Sequence, residues 1–353
     1  MRDTRDVTAQ EEPGVFVCDR SVAGTPLEGI VLRVTSGQYL VQSEADKNNP
    51  PHQYRCVLRG NLKKEFTYNT SASVSRRVLR AKRPLIKDTV AVGDRVRFTP
   101  VDDSTGVIEE ILPRKTRFAR ALERGREQTL VTNLDQLVIV FACAQPNPDL
   151  WLLDRWLVAA EFYGLDALLV ANKYDLVHEA TFREHFATYE QLGYRVIPAS
   201  AHTGHGIEAL RTALRGRISA FTGPSGVGKS SLLNAIQPGL HLETGEIGYT
   251  TYKGRHTTTV RQLIPLETGG WVADTPGLRQ LELRGLDRDT LAECFVEIRP
   301  ILEEPCRFND CRHEAEPGCR LKQAVEAGLV AERRYRSFLQ MAREMESTRP
   351  SSR

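Results

Sequence analysis

Three short elements limit this chain more than its composition does, and their order limits it most. Asn172-Lys173-Tyr174-Asp175 comes first, Gly223-Pro224-Ser225-Gly226-Val227-Gly228-Lys229-Ser230 second, and Asp274-Thr275-Pro276-Gly277 last. The middle element fits G-x-x-x-x-G-K-[ST] at every defined position. Such a loop needs glycine so that backbone N–H groups can turn inward around phosphate oxygens. Lys229 would reach the β- and γ-phosphates, and the Ser230 hydroxyl would ligate Mg²⁺. A helix beginning near Lys229, with Ser231 in its first turn, points its positive end at the same anions. The flanks agree: 217–222 reads as a strand entering the loop and 231–236 as the helix leaving it.

Asn172-Lys173-Tyr174-Asp175 follows the apolar run 167–171, which places it at the C-terminal end of a buried strand. Open α/β sheets bind ligands at that end. A carboxylate at Asp175 accepts two hydrogen bonds from guanine N1–H and N2–H₂, a pair that adenine does not offer. Ser200-Ala201-His202 follows a second strand, 194–198, and resembles the S-A-K loop whose backbone N–H meets guanine O6, with His202 in place of lysine. An ordinary guanine-nucleotide domain begins with the phosphate loop and reads the base last. Here the base-reading elements come first, so the order is that of a circular permutation.

Asp274 ends the short strand 270–273 and would hold Mg²⁺ through water, while the Gly277 N–H would sense the γ-phosphate. Leu278 stands where many GTPases carry the glutamine that orients the attacking water. Leucine cannot do that, so slow intrinsic turnover is expected, completed by another residue or a partner. The segment Gly254-Arg255-His256-Thr257-Thr258-Thr259 lies where a first switch belongs. Thr258 or Thr259 would supply a further Mg²⁺ ligand. His256 either positions water or is a solvated loop histidine, and both readings stay open.

An independent signal lies further on. Cys306, Cys311, His313 and Cys319 form C-x4-C-x-H-x5-C in a stretch rich in Pro, Gly, Asn and Asp, so the side chains can converge. Three thiolates and an imidazole suit a closed, tetrahedral, structural Zn²⁺ site; a catalytic zinc would keep a position for water. The other cysteines, Cys18, Cys56, Cys143 and Cys294, are scattered, and Cys143 reads as core packing.

At 353 residues the chain has room for two or three domains. An odd count of seven cysteines and a polar, doubly charged beginning suggest a reducing cytoplasm without a signal peptide. The longest apolar run, 137–144, is too short to cross a bilayer. Residues 1–13 are polar and expected to be a disordered tail. Residues 14–112 alternate short β-runs with turns, the pattern of a small OB-type barrel. Within it, Arg76, Arg77 and Lys82 belong to a basic stretch with Phe66 and Tyr68 interleaved, either an RNA-contacting surface or a solvated loop. Residues 113–130 read as a linker. Residues 131–286 alternate strand and helix, as in a doubly wound P-loop domain. There Leu150–Phe162 reads as a buried helix, with Trp151 and Trp156 in the core. Residues 287–353 hold the metal loop and a last helix made basic by Arg333, Arg334, Arg336 and Arg343.

An OB-like barrel, a permuted GTPase and a Cys-His zinc module in one chain resemble the ribosome small-subunit-dependent GTPase family, RsgA (also called YjeQ), over nearly the whole length, 14–346. Gly226-Val227-Gly228-Lys229-Ser230-Ser231-Leu232-Leu233-Asn234 and Gly254-Arg255-His256-Thr257-Thr258-Thr259 are similar to that family's wording. The resemblance implies a cytoplasmic enzyme converting GTP to GDP and phosphate. It implies binding to the small ribosomal subunit and its ribosomal RNA, and action late in the assembly of that subunit, with hydrolysis stimulated by the particle. One structural zinc per chain, Mg²⁺ with the nucleotide and a monomeric state are expected. Gly226 stands where potassium-activated cousins carry asparagine, so no K⁺ requirement is inferred. A GTPase serving the large subunit, and an RNA-binding module holding GTP as a structural ligand, are the rival readings. Turnover with each subunit and with free RNA separates them.

Overall fold

The computed structural model describes residues 25–35, 37–44, 50–59, 65–68, 78–82, 90–121, 127–239, 262–274 and 286–348. The N-terminal strands β1 (Leu27–Thr35), β2 (Gln38–Ser43), β3 (Gln53–Leu58), β6 (Arg95–Pro100) and β7 (Thr105–Ile111) close on themselves in the order β1-β2-β3-β7-β6-β1. All contacts are antiparallel except β3 with β7. That is the five-stranded OB-type barrel the alternating pattern predicts. In β3 the period of two is plain: Cys56 and Leu58 are buried while Gln53, Arg55 and Val57 face outward. Val31, Val41, Val96, Phe98 and Ile108 complete the barrel interior. A separate hairpin, β4 (Glu65–Tyr68) with β5 (Val78–Lys82), lies between barrel strands in sequence.

Residues 113–130, expected as a linker, carry most of another hairpin, β8 (Arg117–Ala121) with β9 (Glu127–Thr132). Phe118 and Val131 bury their side chains in the same apolar cluster as Ile30 and Val92 of the barrel and Leu137 and Ile139 of the following domain. A fully buried carboxylate reinforces this junction. Asp94 accepts from Arg114 Nε at 2.7 Å, from Thr132 Oγ1 at 2.8 Å and from the Ala91 N–H at 2.8 Å. The stretch joins the two domains through packed structure rather than as a free tether.

The second domain holds β10 (Gln136–Ala142), β11 (Asp166–Asn172), β12 (Arg195–Pro198), β13 (Ile218–Thr222), β14 (Gln262–Pro265) and β15 (Trp271–Asp274). Its helices are α1 (Leu150–Phe162), α2 (Glu179–Gln191), α3 (Ile207–Leu214) and α4 (Lys229–Ile236). Every residue of β10 is buried, as its unbroken apolar run requires of a central parallel strand. The spatial order is β12-β11-β10-β13-β15-β14, parallel apart from β14. Read from β13 onward and continued through β10, this becomes second-third-first-fourth-fifth-sixth. Strand pairing does not depend on which connection is covalent, so moving the chain ends leaves every neighbour in place.

β14 also pairs with β1, Arg33 opposite Gln262, which makes the barrel and the parallel sheet one continuous surface. The C-terminal module follows with α5 (Arg288–Glu293), α6 (Arg299–Leu302), α7 (Arg320–Glu326) and α8 (Glu332–Thr348), packed around Phe295, Ile298, Leu321 and Phe338. Two of the four arginines that make the last helix basic are drawn into the fold, while Arg336 and Arg343 stay exposed. Arg334 is fully buried and Arg333 pairs with Asp154 at 2.7 Å. Among the described residues no helix is long and apolar enough to cross a membrane.

Candidate functional site

The connection order of the sheet reverses between β10 and β13, and ligands bind open α/β sheets outside the strand ends at such a point. The loop after β13 carries Gly223 to Gly228. Gly223 has φ 139°, and a Cβ there would lie 2.1 Å from the Val140 carbonyl oxygen, inside any contact distance. Gly228 has φ 91° and would place a Cβ 2.4 Å from Asn172 Nδ2. The loop therefore approaches its neighbours too closely for any side chain at either end. Gly228 is the N-cap of α4, so the first free N–H groups of that helix open onto the loop. Lys229 bends back over it, donating to Gly223 O at 2.8 Å and Pro224 O at 2.5 Å.

The base-reading elements are bolted to this loop by one buried side chain. Asn172, at the end of β11, donates from Nδ2 to Val227 O at 2.7 Å and accepts from the Ala201 N–H at 3.3 Å. It thereby fixes the phosphate loop, its own loop and the Ser200-Ala201-His202 turn in mutual register. Lys173 has φ 57°, a left-handed conformation costing a non-glycine residue about 1–2 kcal/mol. That turn sends its ammonium across to Gly226 O at 2.8 Å and to the carbonyl of Gln145. Tyr174 turns away, stacked on His205 at 5.1 Å. Asp175 stands exposed in the single 3₁₀ turn Tyr174–Leu176. Ser200 is fully buried, its hydroxyl accepting from the Thr203 N–H at 3.1 Å, and His202 is exposed in the same turn.

A cavity of about 640 Å³ runs along this cradle. Gly223, Pro224, Ser225, Gly226, Gly228, Lys229, Ser230 and Ser231 line one side, with Lys173, Leu152 and Trp156 as the other lining residues. Lys229, Ser230, Asn172, Lys173, Ser200 and Ala201 are thus brought together as the motifs predict. Trp156 is buried, as expected, but it also walls the cavity. Of Asp274 the strand position is described, at the end of β15 beside β13. Thr275, Gly277, Leu278, His256, Thr258 and Thr259 lie outside the described residues, as do Arg76 and Arg77. Lys82 ends β5 opposite Glu65. The part played by the Gln145 carbonyl had no signal in the motifs, because it comes from the loop after β10, one strand earlier in sequence than Lys173.

Residues 111–284 match the RsgA GTPase family. A Small ribosomal subunit biogenesis GTPase RsgA from Moorella thermoacetica is 42% identical over 314 residues, covering 89% of this chain and 95% of that protein. One from Gemmatimonas aurantiaca is 42% identical over 325 residues, 91% of this chain and 98% of that protein. The chain belongs to the RsgA GTPase family. Among solved structures, YjeQ from Thermotoga maritima superposes with TM-score 0.71 at 34% identity, covering 92% of this chain and all of that one (100%). YloQ, described as a circularly permuted GTPase, superposes with TM-score 0.67 at 29% identity, over 94% and 99% of the two chains. Family membership makes the chain a GTP-hydrolysing enzyme. The permuted motif order and the β13-first strand order are the family's permuted architecture.

The second cluster is equally well formed. The ligand atoms of Cys306, Cys311, His313 and Cys319 all lie within 4.8 Å of one another. His313 Nδ1 stands 3.6 Å from Cys306 Sγ, 3.6 Å from Cys311 Sγ and 3.5 Å from Cys319 Sγ. A tetrahedral metal with bonds of ~2.3 Å to sulfur and ~2.0 Å to nitrogen puts each S···N edge at about 3.5 Å. The three S···N edges therefore match those of a tetrahedral metal, and the four residues could hold one. Their loop is shaped from within: Glu316 accepts from three backbone N–H groups, of Arg312, Glu314 and Ala315. Those backbone donors hold its carboxyl down at about 2. Tyr335 of α8 donates to the His313 carbonyl at 2.5 Å. Burial pushes the Cys311 thiol up to about 12 and lowers His313, with the Arg288 guanidinium adding to the latter. A neutral imidazole is the form that binds metal, whereas the thiols must release protons to do so.

Replacing Asp175 by Asn should weaken GTP binding tenfold or more, since each hydrogen bond to a charged group contributes about 1.5–3 kcal/mol. Discrimination against ATP and xanthosine nucleotides should relax, while the fold should hold because Asp175 is exposed. Competition binding measures both effects, and an unchanged base preference would remove Asp175 from the base-reading role.

Proposed function

We propose that this enzyme works in the biogenesis of the small ribosomal subunit, hydrolysing GTP when it engages the particle. Support comes from the guanine cradle built around Asn172 in a chain whose relatives, aligned over nine-tenths of their length, are named for small-subunit biogenesis. The nucleotide would lie with its phosphates on Gly223–Ser231 and its base between Asp175 and the Ser200-Ala201 turn. Mg²⁺ would neutralise phosphate charge, held by Ser230, by Thr258 or Thr259, and through water by Asp274. Lys229 would stabilise charge on the β- and γ-phosphates, and Gly277 would report the γ-phosphate. His256 is proposed to orient the water, because Leu278 cannot.

The cluster at Cys306, Cys311, His313 and Cys319 is proposed to bind one structural Zn²⁺, which four ligands saturate. RNA contact is assigned to the barrel and its β4–β5 hairpin, with Arg76, Arg77 and Lys82 as phosphate partners. A cytoplasmic monomer fits this reading.

Adding purified small subunits should raise GTP turnover well above the unassisted rate, and adding large subunits or free RNA should not. His256→Ala should lose most of the stimulated rate while keeping nucleotide and particle binding. Equal stimulation by both subunits would overturn the assignment to the small one. A fully stimulated His256→Ala variant would leave water positioning to the backbone or the particle.

A further inference from the structure

Helix α1 presents three faces to three surroundings. Leu152 and Trp156, one turn apart, line the phosphate-loop cavity. Leu153, Leu157 and Ala160 enter the apolar core of the sheet. Asp154, about 200° around the helix from Leu152, turns with Val158 toward the C-terminal module.

Asp154 is fully buried and its oxygens are saturated. Oδ1 accepts from Tyr189 Oη of α2 at 2.8 Å and from Arg334 Nη1 of α8 at 2.8 Å. Oδ2 accepts from Arg333 Nη1 at 2.7 Å and Ser337 Oγ at 2.6 Å, both on α8. Arg334, itself without exposure, is clamped from the other side by Glu297 at 2.6 and 3.1 Å and lies 4.5 Å over the Phe295 ring. An apolar packing of the same volume is often no less stable than a buried ion network, because desolvation offsets the attraction. What hydrogen-bonded charges add is one defined geometry. The same helix α8 reaches the metal loop through Tyr335 and the His313 carbonyl. At the cavity end, Trp156 is only 8% exposed and its indole N–H meets no partner among the described residues. The wall is therefore held by α1 and not by a local hydrogen bond.

We propose that Asp154 is a positioning residue for the nucleotide site: by locking α1 to α8 it holds Leu152 and Trp156 against the phosphate loop, so that nucleotide affinity depends on the C-terminal module. The proposal rests on the nucleotide reading of the cavity.

The test measures dissociation constants of the full-length protein for GDP and a fluorescent non-hydrolysable GTP analogue, alongside thermal melting. Asp154→Asn removes the charge that faces two arginines, and the fold itself is at risk. Ser337→Ala deletes one donor and keeps every charge, so it carries the decision. Ser337→Ala should weaken nucleotide binding about 3- to 10-fold, inside the range for substitutions that modulate coupling without touching ligand. Val330→Ala, in the same C-terminal core, should lower the melting temperature and leave affinity unchanged. Combining Ser337→Ala with Trp156→Phe should add little to the effect of either alone, since both act on one wall. Nucleotide affinity within about twofold of wild type in a folded Ser337→Ala protein, or full additivity in the double variant, overturns the positioning role alone. Failure of the wild-type protein to bind either nucleotide removes the site itself, and the proposal with it.

Discussion

Lys229→Ala should lower GTP turnover by about 10²- to 10³-fold or more, the loss seen when one preorganised donor to developing charge is deleted. The side chain sits half-buried at the mouth of the phosphate loop, reaching Gly223 O at 2.8 Å and Pro224 O at 2.5 Å. Its ammonium is thus held on the anion side of the loop by backbone carbonyls. It contributes nothing to the apolar clusters that fold the domain. Alanine at the first position of α4 is also a better helix former than lysine. The melting temperature should accordingly stay near that of wild type while single-turnover hydrolysis collapses. Phosphate release under saturating GTP, followed in parallel with thermal unfolding, makes the measurement. Full activity in a folded variant would refute the assignment of the loop.

The second large effect is expected at the metal cluster. Protein purified without chelator should carry about one zinc ion per chain, one for each four-ligand set. Cys311→Ser should lose the metal and lower the melting temperature of the C-terminal module by about 10 °C or more. The reason is local. Between α6 and α7 the chain runs from Glu303 to Cys319 without a helix or strand. Its geometry rests on the four ligands, the Glu316 carboxylate and the Tyr335 hydroxyl. The core around Phe295, Leu321 and Phe338 includes Cys319 but also many side chains that hold no metal, so the module should loosen rather than vanish. The pH dependence has a definite sign. Cys311 is pushed up to about 12 by burial, so at neutral pH the metal-free thiol is protonated. Metal uptake must release protons, and affinity must fall as pH falls. Metal analysis finding no zinc, or Cys311→Ser melting like wild type, would contradict the assignment.

The two sites differ from their surroundings in how far sequence alone could reach. The phosphate loop was legible because its chemistry demands glycine where backbone is crowded. Gly223 and Gly228 are the two positions at which a Cβ would collide. The Cys-His cluster was legible because a loop of turn residues leaves four rare side chains little else to do. Strand β10 was legible because a central parallel strand is buried on both faces. The hairpin β8–β9 was not, because its two strands are short and charged. What makes them strands is Phe118 and Val131 packing into a core supplied by other elements.

The linear order of three motifs, the spacing of three cysteines and a histidine and the alternation in the barrel strands determined the fold class and the chemistry expected of both sites, since each is a local requirement on residue type. Tertiary structure alone decided how those sites are held. Asn172 was readable as part of a motif, but its bridging of Val227 and Ala201 depends on β11 lying next to the loop after β13. Arg333 and Arg334 read in sequence only as part of a basic helix; in the fold α8 packs on α1 and a single carboxylate, Asp154, takes them both. Burial of a charge is settled by partners far apart in sequence: Asp154 and Arg334 are separated by 180 residues and meet at 2.8 Å.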